Sequence, residues 1–272
     1  MTGSECKQAL AQGKTLCGTL IVSPSPKWPK YLGKCGLDFV FIDTEHVALD
    51  LYTLSNMCML YAANHLAPVV RIPSPDPYMA SQVLDAGAHG ILAPYIETAQ
   101  QVRDLVGAVH YKPVKGEMLR QALAGEAPLP AKDLEQMRSA NKDHLLFVNI
   151  ESKAGMEALD EILAVPGLDG IVIGPNDLSF SLGNPNDYES EEFHDAVVAI
   201  LKKARAKNIA AGIHYMGDIS RQIEWAKETG MNLLFHSGDM YIFVENLRKD
   251  LNAFRESLGF EGKAAEAVEI II

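Results

Sequence analysis

The chain is short of positive charge, of paired cysteines and of long apolar runs. Its 24 Lys+Arg stand against 35 Asp+Glu, a formal net charge of -11. Nucleic acid and anionic membrane are therefore not expected as main partners, and a small anion can bind only at a local cationic point. No apolar stretch approaches the roughly 20 residues of a membrane helix. The N-terminus, MTGSECKQALAQGK, lacks the basic-then-apolar pattern of a secretion signal. Cys6, Cys17, Cys35 and Cys58 form no C-x-x-C pair, which predicts reduced thiols and a cytoplasmic protein. Also missing are a G-x-G-x-x-G turn and a G-x-S-x-G nucleophile elbow.

What is present is a repeat of pattern. Short apolar runs rich in β-branched residues alternate with segments of helical period. The runs are Thr15–Val22, Asp38–Asp43, Pro68–Ile72, Gly90–Pro94, Leu145–Glu151, Gly170–Gly174, Ala210–His214 and Asn232–His236. Between them, Leu51, Leu54, Cys58 and Tyr61 share a helix face, as do Phe193, Val197, Ile200 and Ala204, and later Val244, Leu247, Leu251, Phe254 and Leu258. Strands apolar at consecutive positions are buried on both faces, so the sheet should be parallel with helices outside it. Eight such units predict a single (β/α)8 TIM barrel over residues 1–272 rather than an open doubly wound sheet. One interval breaks the rhythm: residues 110–143 read as a loop-and-helix insertion over the active site. Residues 259–272 read as a C-terminal tail.

In such a barrel, chemistry sits where strands end. Glu151 ends the fifth run and Asp177 follows the sixth; together they could hold one hard divalent cation, or be two solvated acids. His46 follows Asp43 by three residues, the spacing of a base and its orienting carboxylate or of a structural contact. Arg71 ends the apolar run Val69-Val70-Arg71 and must face an anion, either a protein acid or a substrate oxygen. Gly174-Pro175-Asn176-Asp177 has the makings of an anion-facing turn. His214 and His236 are expected at the mouth, and Lys153 is expected to be a solvated residue opening a helix.

Taken in order, Asp43-Thr44-Glu45-His46, Val69-Val70-Arg71, Leu84-Asp85-Ala86-Gly87-Ala88, Ile150-Glu151-Ser152 and Gly174-Pro175-Asn176-Asp177-Leu178-Ser179 resemble the HpcH/HpaI aldolases. These are class II, metal-dependent pyruvate aldolases of the 4-hydroxy-2-oxoheptanedioate type. The resemblance implies a barrel whose C-terminal helix is exchanged between subunits, in a hexamer of paired subunits or a trimer. It implies Glu151 and Asp177 as ligands of magnesium or manganese, with cobalt as an alternative. It makes His46 the base, assisted by Asp43, and Arg71 the group that steadies an enolate. Asp85 would reach a neighbour's active site, and Gly174 and Asn176 would bind a pyruvate carboxylate. The sequence departs from the family at Asn149, where Gln is usual, at Lys112–Arg120, where a Gly-rich loop is usual, and at His214, usually apolar; Asn149 and His214 are taken as substrate-binding. The expected reaction is cleavage of a 4-hydroxy-2-oxo acid to pyruvate and an aldehyde through a metal-stabilised enolate. Oxaloacetate-type decarboxylation, a sugar-acid or CoA-thioester lyase on the same scaffold and a non-catalytic binding module are the rivals.

Overall fold

The computed structural model describes residues 1–124 and 130–260. A first helix, α1 (Gly3–Ala11), leads into β1 (Leu16–Ile21), α2 (Trp28–Leu32), β2 (Phe39–Asp43), α3 (Leu51–Ala63), β3 (Ala67–Arg71), α4 (Pro77–Asp85) and β4 (Gly90–Ala93). Three helices follow, α5 (Ala99–His110), α6 (Gly116–Ala124) and α7 (Ala131–Ala140), before β5 (Leu145–Ile150). The second half runs α8 (Lys153–Glu157), α9 (Leu159–Ile162), β6 (Gly170–Ile173), α10 (Pro175–Leu182), α11 (Glu191–Ala206), β7 (Ala210–Tyr215), α12 (Ile219–Thr229), β8 (Leu233–Gly238) and α13 (Asp239–Leu258). Each strand pairs parallel with the next, and β8 closes on β1. All eight expected strands are present in a (β/α)8 barrel.

Alternation along the buried strands makes two cores. Leu20, Phe39, Phe41, Val69, Phe147, Val172 and Phe235 point inward and fill the barrel, with Phe39 and Phe235 ring centroids 4.8 Å apart. Ile42, Val70, Ile91, Val148, Ile171 and Ile213 point outward onto the helices, where they meet Leu54, Val102, Ile200 and Trp225. The barrel is therefore a packed core that opens only toward its C-terminal rim.

Helix α1 closes the opposite end. Thr2 and Glu5 form a capping box, and the backbone of Gly3 lies so close to the Asp143 and His89 carbonyls that a Cβ would collide. Lys7 reaches Asp169 at 3.4 Å.

The insertion differs from expectation. It departs from the end of α5, where His110 Nε2 donates to the Gly167 carbonyl at 2.9 Å just before β6 begins. That is the end where strands start. From there α6 packs back along α5, with Leu119 against Gly107. None of its described residues lines the cavity at the strand ends. A βα cover would have to leave from a strand's C-terminus, and this segment joins a helix to a strand.

Helix α13 is anchored at its start alone. Asp239 accepts the N–H groups of Val22 (3.2 Å), Ser23 (3.0 Å) and Met240 (2.8 Å) and is the one buried residue of the helix. Ile242, Phe243, Leu247, Leu251, Phe254 and Leu258 are all exposed. The stripe at Leu247, Leu251, Phe254 and Leu258 is thus helical as expected but exposed among the described residues. Most of the expected tail, from residue 261, lies outside the described residues. Among the described residues no helix is long and apolar enough to cross a membrane.

Candidate active site

A cavity of about 390 Å³ opens at the C-terminal ends of the strands. Its floor is Phe41, Leu92 and Val172, its wall carries His46, Arg71, Asn149, Glu151, Gly174, Asn176, Asp177 and His214, and its rim carries Asn186 and three tyrosines. A roomier groove of about 500 Å³ lies outside the barrel between α4, α5 and α6, but it holds none of the strand-end acids or bases.

The β2–β3 register sets Asp43 directly beside Arg71. Arg71 donates from Nε to Asp43 Oδ1 and from Nη2 to Oδ2, both at 2.8 Å, a bidentate fork. Nε also lies 3.1 Å from Glu45 Oε2, and the guanidinium sits 5.2 Å from the Phe41 ring centroid. Burial pushes the Asp43 carboxyl up, but the Arg71 hydrogen bonds and charge outweigh it and hold the group below the usual range. Asp43 is completely buried and both its oxygens face Arg71, so its partner is Arg71 rather than His46. The acid within reach of the imidazole is Glu45, with Oε2 3.7 Å from His46 Nε2. Burial raises Glu45 to about 7 against the pull of Arg71. Sequence reading assigned Glu45 no role.

Glu151 and Asp177 are both hydrogen-bonded by one residue that sequence reading missed. The Tyr95 N–H donates to Glu151 Oε1 at 2.7 Å, and the Tyr95 hydroxyl donates to Asp177 Oδ1 at 3.0 Å. Burial and the Asp177 hydrogen bond push the Tyr95 phenol up to about 12, so it remains a donor. Tyr95 is the second residue after β4, whose uncharged end drew no attention in the sequence; strand-end position was the available signal. On the other side of Glu151, Asn149 Nδ2 donates to Oε2 at 2.7 Å. Glu151 is 3% exposed, and burial raises its pKa.

Glycine is required next to this acid. A Cβ on Gly174 would strike the Glu151 carboxylate. Gly174→Ala is expected to displace Glu151 and lower kcat/KM by about 100-fold, the scale of a small misplacement of a catalytic group; steady-state kinetics on the folded variant check this. Gly174 is the N-cap of α10 and has no side-chain cap. The first-turn amides of that helix, including Asn176, are suited to a carboxylate.

His214 sits inside the barrel wall, its Nε2 donating to the Ser237 carbonyl at 3.1 Å and its ring edge-on to Phe41 at 5.3 Å. Burial pulls it down to about 4 from an ordinary 6.5. Between those values the unfolded chain binds a proton that the folded chain refuses. The stability His214 supports is therefore complete above about pH 6.5 and drains as pH falls toward 4. His214→Gln keeps a donor for Ser237. From about pH 7.5 to about pH 5 it is expected to lose less stability than the wild type, by on the order of 2 kcal/mol. Urea midpoints at the two pH values measure this; equal losses would show that the ring protonates freely in the fold.

His236 faces away from the cavity and bonds Gln222 Oε1 at 2.7 Å, not the mouth as expected. Lys153 donates to the Leu182 carbonyl at 3.3 Å and does not line the cavity. Asp85, at the end of α4, is exposed and ion-paired with Lys112, outside this chain's cavity.

The site's donor set fits a hard dication. Asp43 and Glu45 pair with Arg71, while Glu151 and Asp177 line the cavity and, among the described residues, neither is ion-paired with a cationic side chain. The Asn149 Oδ1 is buried without a partner in the structure, an acceptor suited to a coordinated water. Among the described residues no group of three or more His, Cys, Asp or Glu side chains is placed to hold a metal ion. The fit is therefore to a two-carboxylate site that leaves the remaining positions to water and substrate oxygens, as magnesium prefers.

Known proteins resemble this chain in sequence and in fold. The sequence pattern of the HpcH/HpaI aldolase/citrate lyase family matches residues 20–231. A hydroxypyruvate/pyruvate aldolase of Roseovarius nubinhibens is 35% identical over 254 residues, 92% of this chain and 96% of that protein. A 5-keto-4-deoxy-D-glucarate aldolase of Escherichia fergusonii is 29% identical over 256 residues, again 92% and 96%. An HpcH/HpaI aldolase structure from Desulfitobacterium hafniense superposes with a TM-score of 0.81 at 26% identity, covering 94% of this chain and 98% of that one.

Proposed function

The chain belongs to the HpcH/HpaI aldolase/citrate lyase family, and on that footing we propose that it is a divalent-metal-dependent aldolase. It cleaves a 4-hydroxy-2-oxo acid to pyruvate, or a related 2-oxo acid, and an aldehyde. The observation that carries the reading is the pair Glu151 and Asp177 facing one cavity with Arg71. Those two acids would hold the cation, which when bound supplies Lewis acidity toward the oxygens of a 2-oxo acid.

The chain's own residues do the rest. The amides of Gly174 and Asn176, at the start of α10, hold the substrate carboxylate. His46 takes the proton of the C4 hydroxyl. The C3–C4 bond then breaks, its electrons pass to the 2-oxo group as an enolate, and the aldehyde leaves. Arg71, fixed by Asp43, presents positive charge where that negative charge develops. Return of that proton from His46 to C3 completes the 2-oxo acid and resets the base. In the condensing direction the same groups act in reverse. Phe41, Leu92 and Val172 keep the floor dry, which strengthens each of these interactions.

The uncovered face of α13 supports a homo-oligomer in which this helix packs on a second copy. Asp85 enters the reading only through such a neighbour. The hydroxyl-bearing rim, Asn186 with Tyr188, Tyr215 and Tyr241, favours a hydroxylated aldehyde, and so a sugar-acid substrate as the second reading.

The test is product analysis. Metal-stripped enzyme should be inactive, and magnesium or manganese should restore release of 2-oxo acid and aldehyde in equal amounts. Carbon dioxide release from oxaloacetate with no aldehyde-dependent product would replace the aldolase reading by a decarboxylase.

A further inference from the structure

We propose that Tyr95 is a positioning residue that sets the spacing of Glu151 and Asp177 and thereby the site's affinity for its cation; this rests on the metal reading above. One residue holds both acids, by its main-chain N–H on Glu151 and its hydroxyl on Asp177. The two acids belong to different units of the barrel: Glu151 follows β5 and Asp177 lies in α10. Tyr95 is not among the residues lining the cavity, so it acts on the carboxylates and not on substrate.

The backbone is committed to this arrangement. Tyr95 has φ +51°, a left-handed conformation that L-residues rarely adopt. Such strain persists where the surroundings over-determine it, and the neighbouring residues are tied down. The Ile96 N–H donates to the Asn149 carbonyl at 3.3 Å, and the Ser152 hydroxyl donates to Glu97 Oε1 at 2.6 Å. The loop is thus bolted to the chain on both sides of Glu151, and the phenol carries the connection on to Asp177. Packing does not account for a tyrosine here, since Tyr95 is 46% exposed. Like-charged carboxylates repel, and a bridging donor holds them in a shared geometry that a cation can use.

The experiment uses Mn²⁺ alone as the probe on metal-stripped, full-length protein, with its Kd read by calorimetry and by electron paramagnetic resonance of free Mn²⁺. Tyr95→Phe keeps the ring and the N–H. It is expected to weaken Mn²⁺ binding about 10- to 100-fold, the usual effect of removing a ligand's hydrogen-bond partner, with the metal-free Tm unchanged. Tyr95→Gly relaxes the backbone and also keeps the N–H, and should lose as much affinity. Wild-type affinity in Tyr95→Phe overturns the inference and leaves the metal reading standing, as does a fall in metal-free Tm with unchanged Kd. A wild-type protein that binds no Mn²⁺, or a Glu151→Gln variant that binds it equally well, removes the metal reading and the inference with it.

Discussion

Arg71→Lys is expected to fold and to lose about 100- to 1,000-fold in kcat, the scale of deleting one donor that faces developing negative charge. An ammonium keeps the charge but not the planar fork. In the wild type two parallel hydrogen bonds of 2.8 Å fix the guanidinium against Asp43, and a third contact reaches Glu45 at 3.1 Å. A lysine at this position can serve one of these acids well, not both. The Asp43 carboxylate is fully buried and would lose a donor that it cannot replace with water. Stability should therefore fall too, and Arg71→Met separates the two effects. With no cation at all, the uncompensated Asp43 should destabilise the fold by about 3–5 kcal/mol, as when one partner of a buried pair is removed. The lysine variant should stay well short of that. Steady-state kinetics and denaturant midpoints on both variants check the prediction; an unchanged kcat in Arg71→Lys would take Arg71 out of the chemistry.

That pairing also marks where sequence reading stops. The eight strands were legible because strands buried on both faces run apolar without interruption. The acids and bases of the site were legible because charges at the ends of such runs need a partner or a task. What pairs with what was not. Asp43 and His46 are three apart in sequence, but Asp43 is the last residue of β2 and its neighbour is set across the sheet, by the register that lines it up with Arg71. Tyr95 was invisible because it is neither charged nor apolar enough to stand out, and its conformation appears only in the backbone. Residues 110–143 showed that an insertion exists but not from which end of the barrel it leaves. The stripe on α13 was correctly periodic, yet a helical period says that a face is apolar and not what it meets.

Asp177→Asn is expected to abolish metal-dependent turnover, by at least about 1,000-fold, while leaving the metal-free protein as stable as the wild type or more so. The amide retains an oxygen for the Tyr95 hydroxyl and removes only the charge. Stability should not suffer, because Asp177 is part of an excess of negative charge: its proximity is among the causes that raise the Glu151 pKa, alongside burial. Neutralising it relieves repulsion that the metal-free wild type must bear. The two proteins should then diverge when magnesium is added. A wild type that binds it gains about 2.7 kcal/mol at a hundredfold excess over Kd, and the variant gains little. Thermal unfolding with and without magnesium, run beside activity, tests both halves together. A variant as strongly stabilised by magnesium as the wild type would show that the cation lies elsewhere. A metal-free variant that unfolds early would mean that Asp177 supports the fold in its own right. The expected pattern, charge that weakens the empty site and strengthens the loaded one, is what distinguishes a ligand from a structural acid.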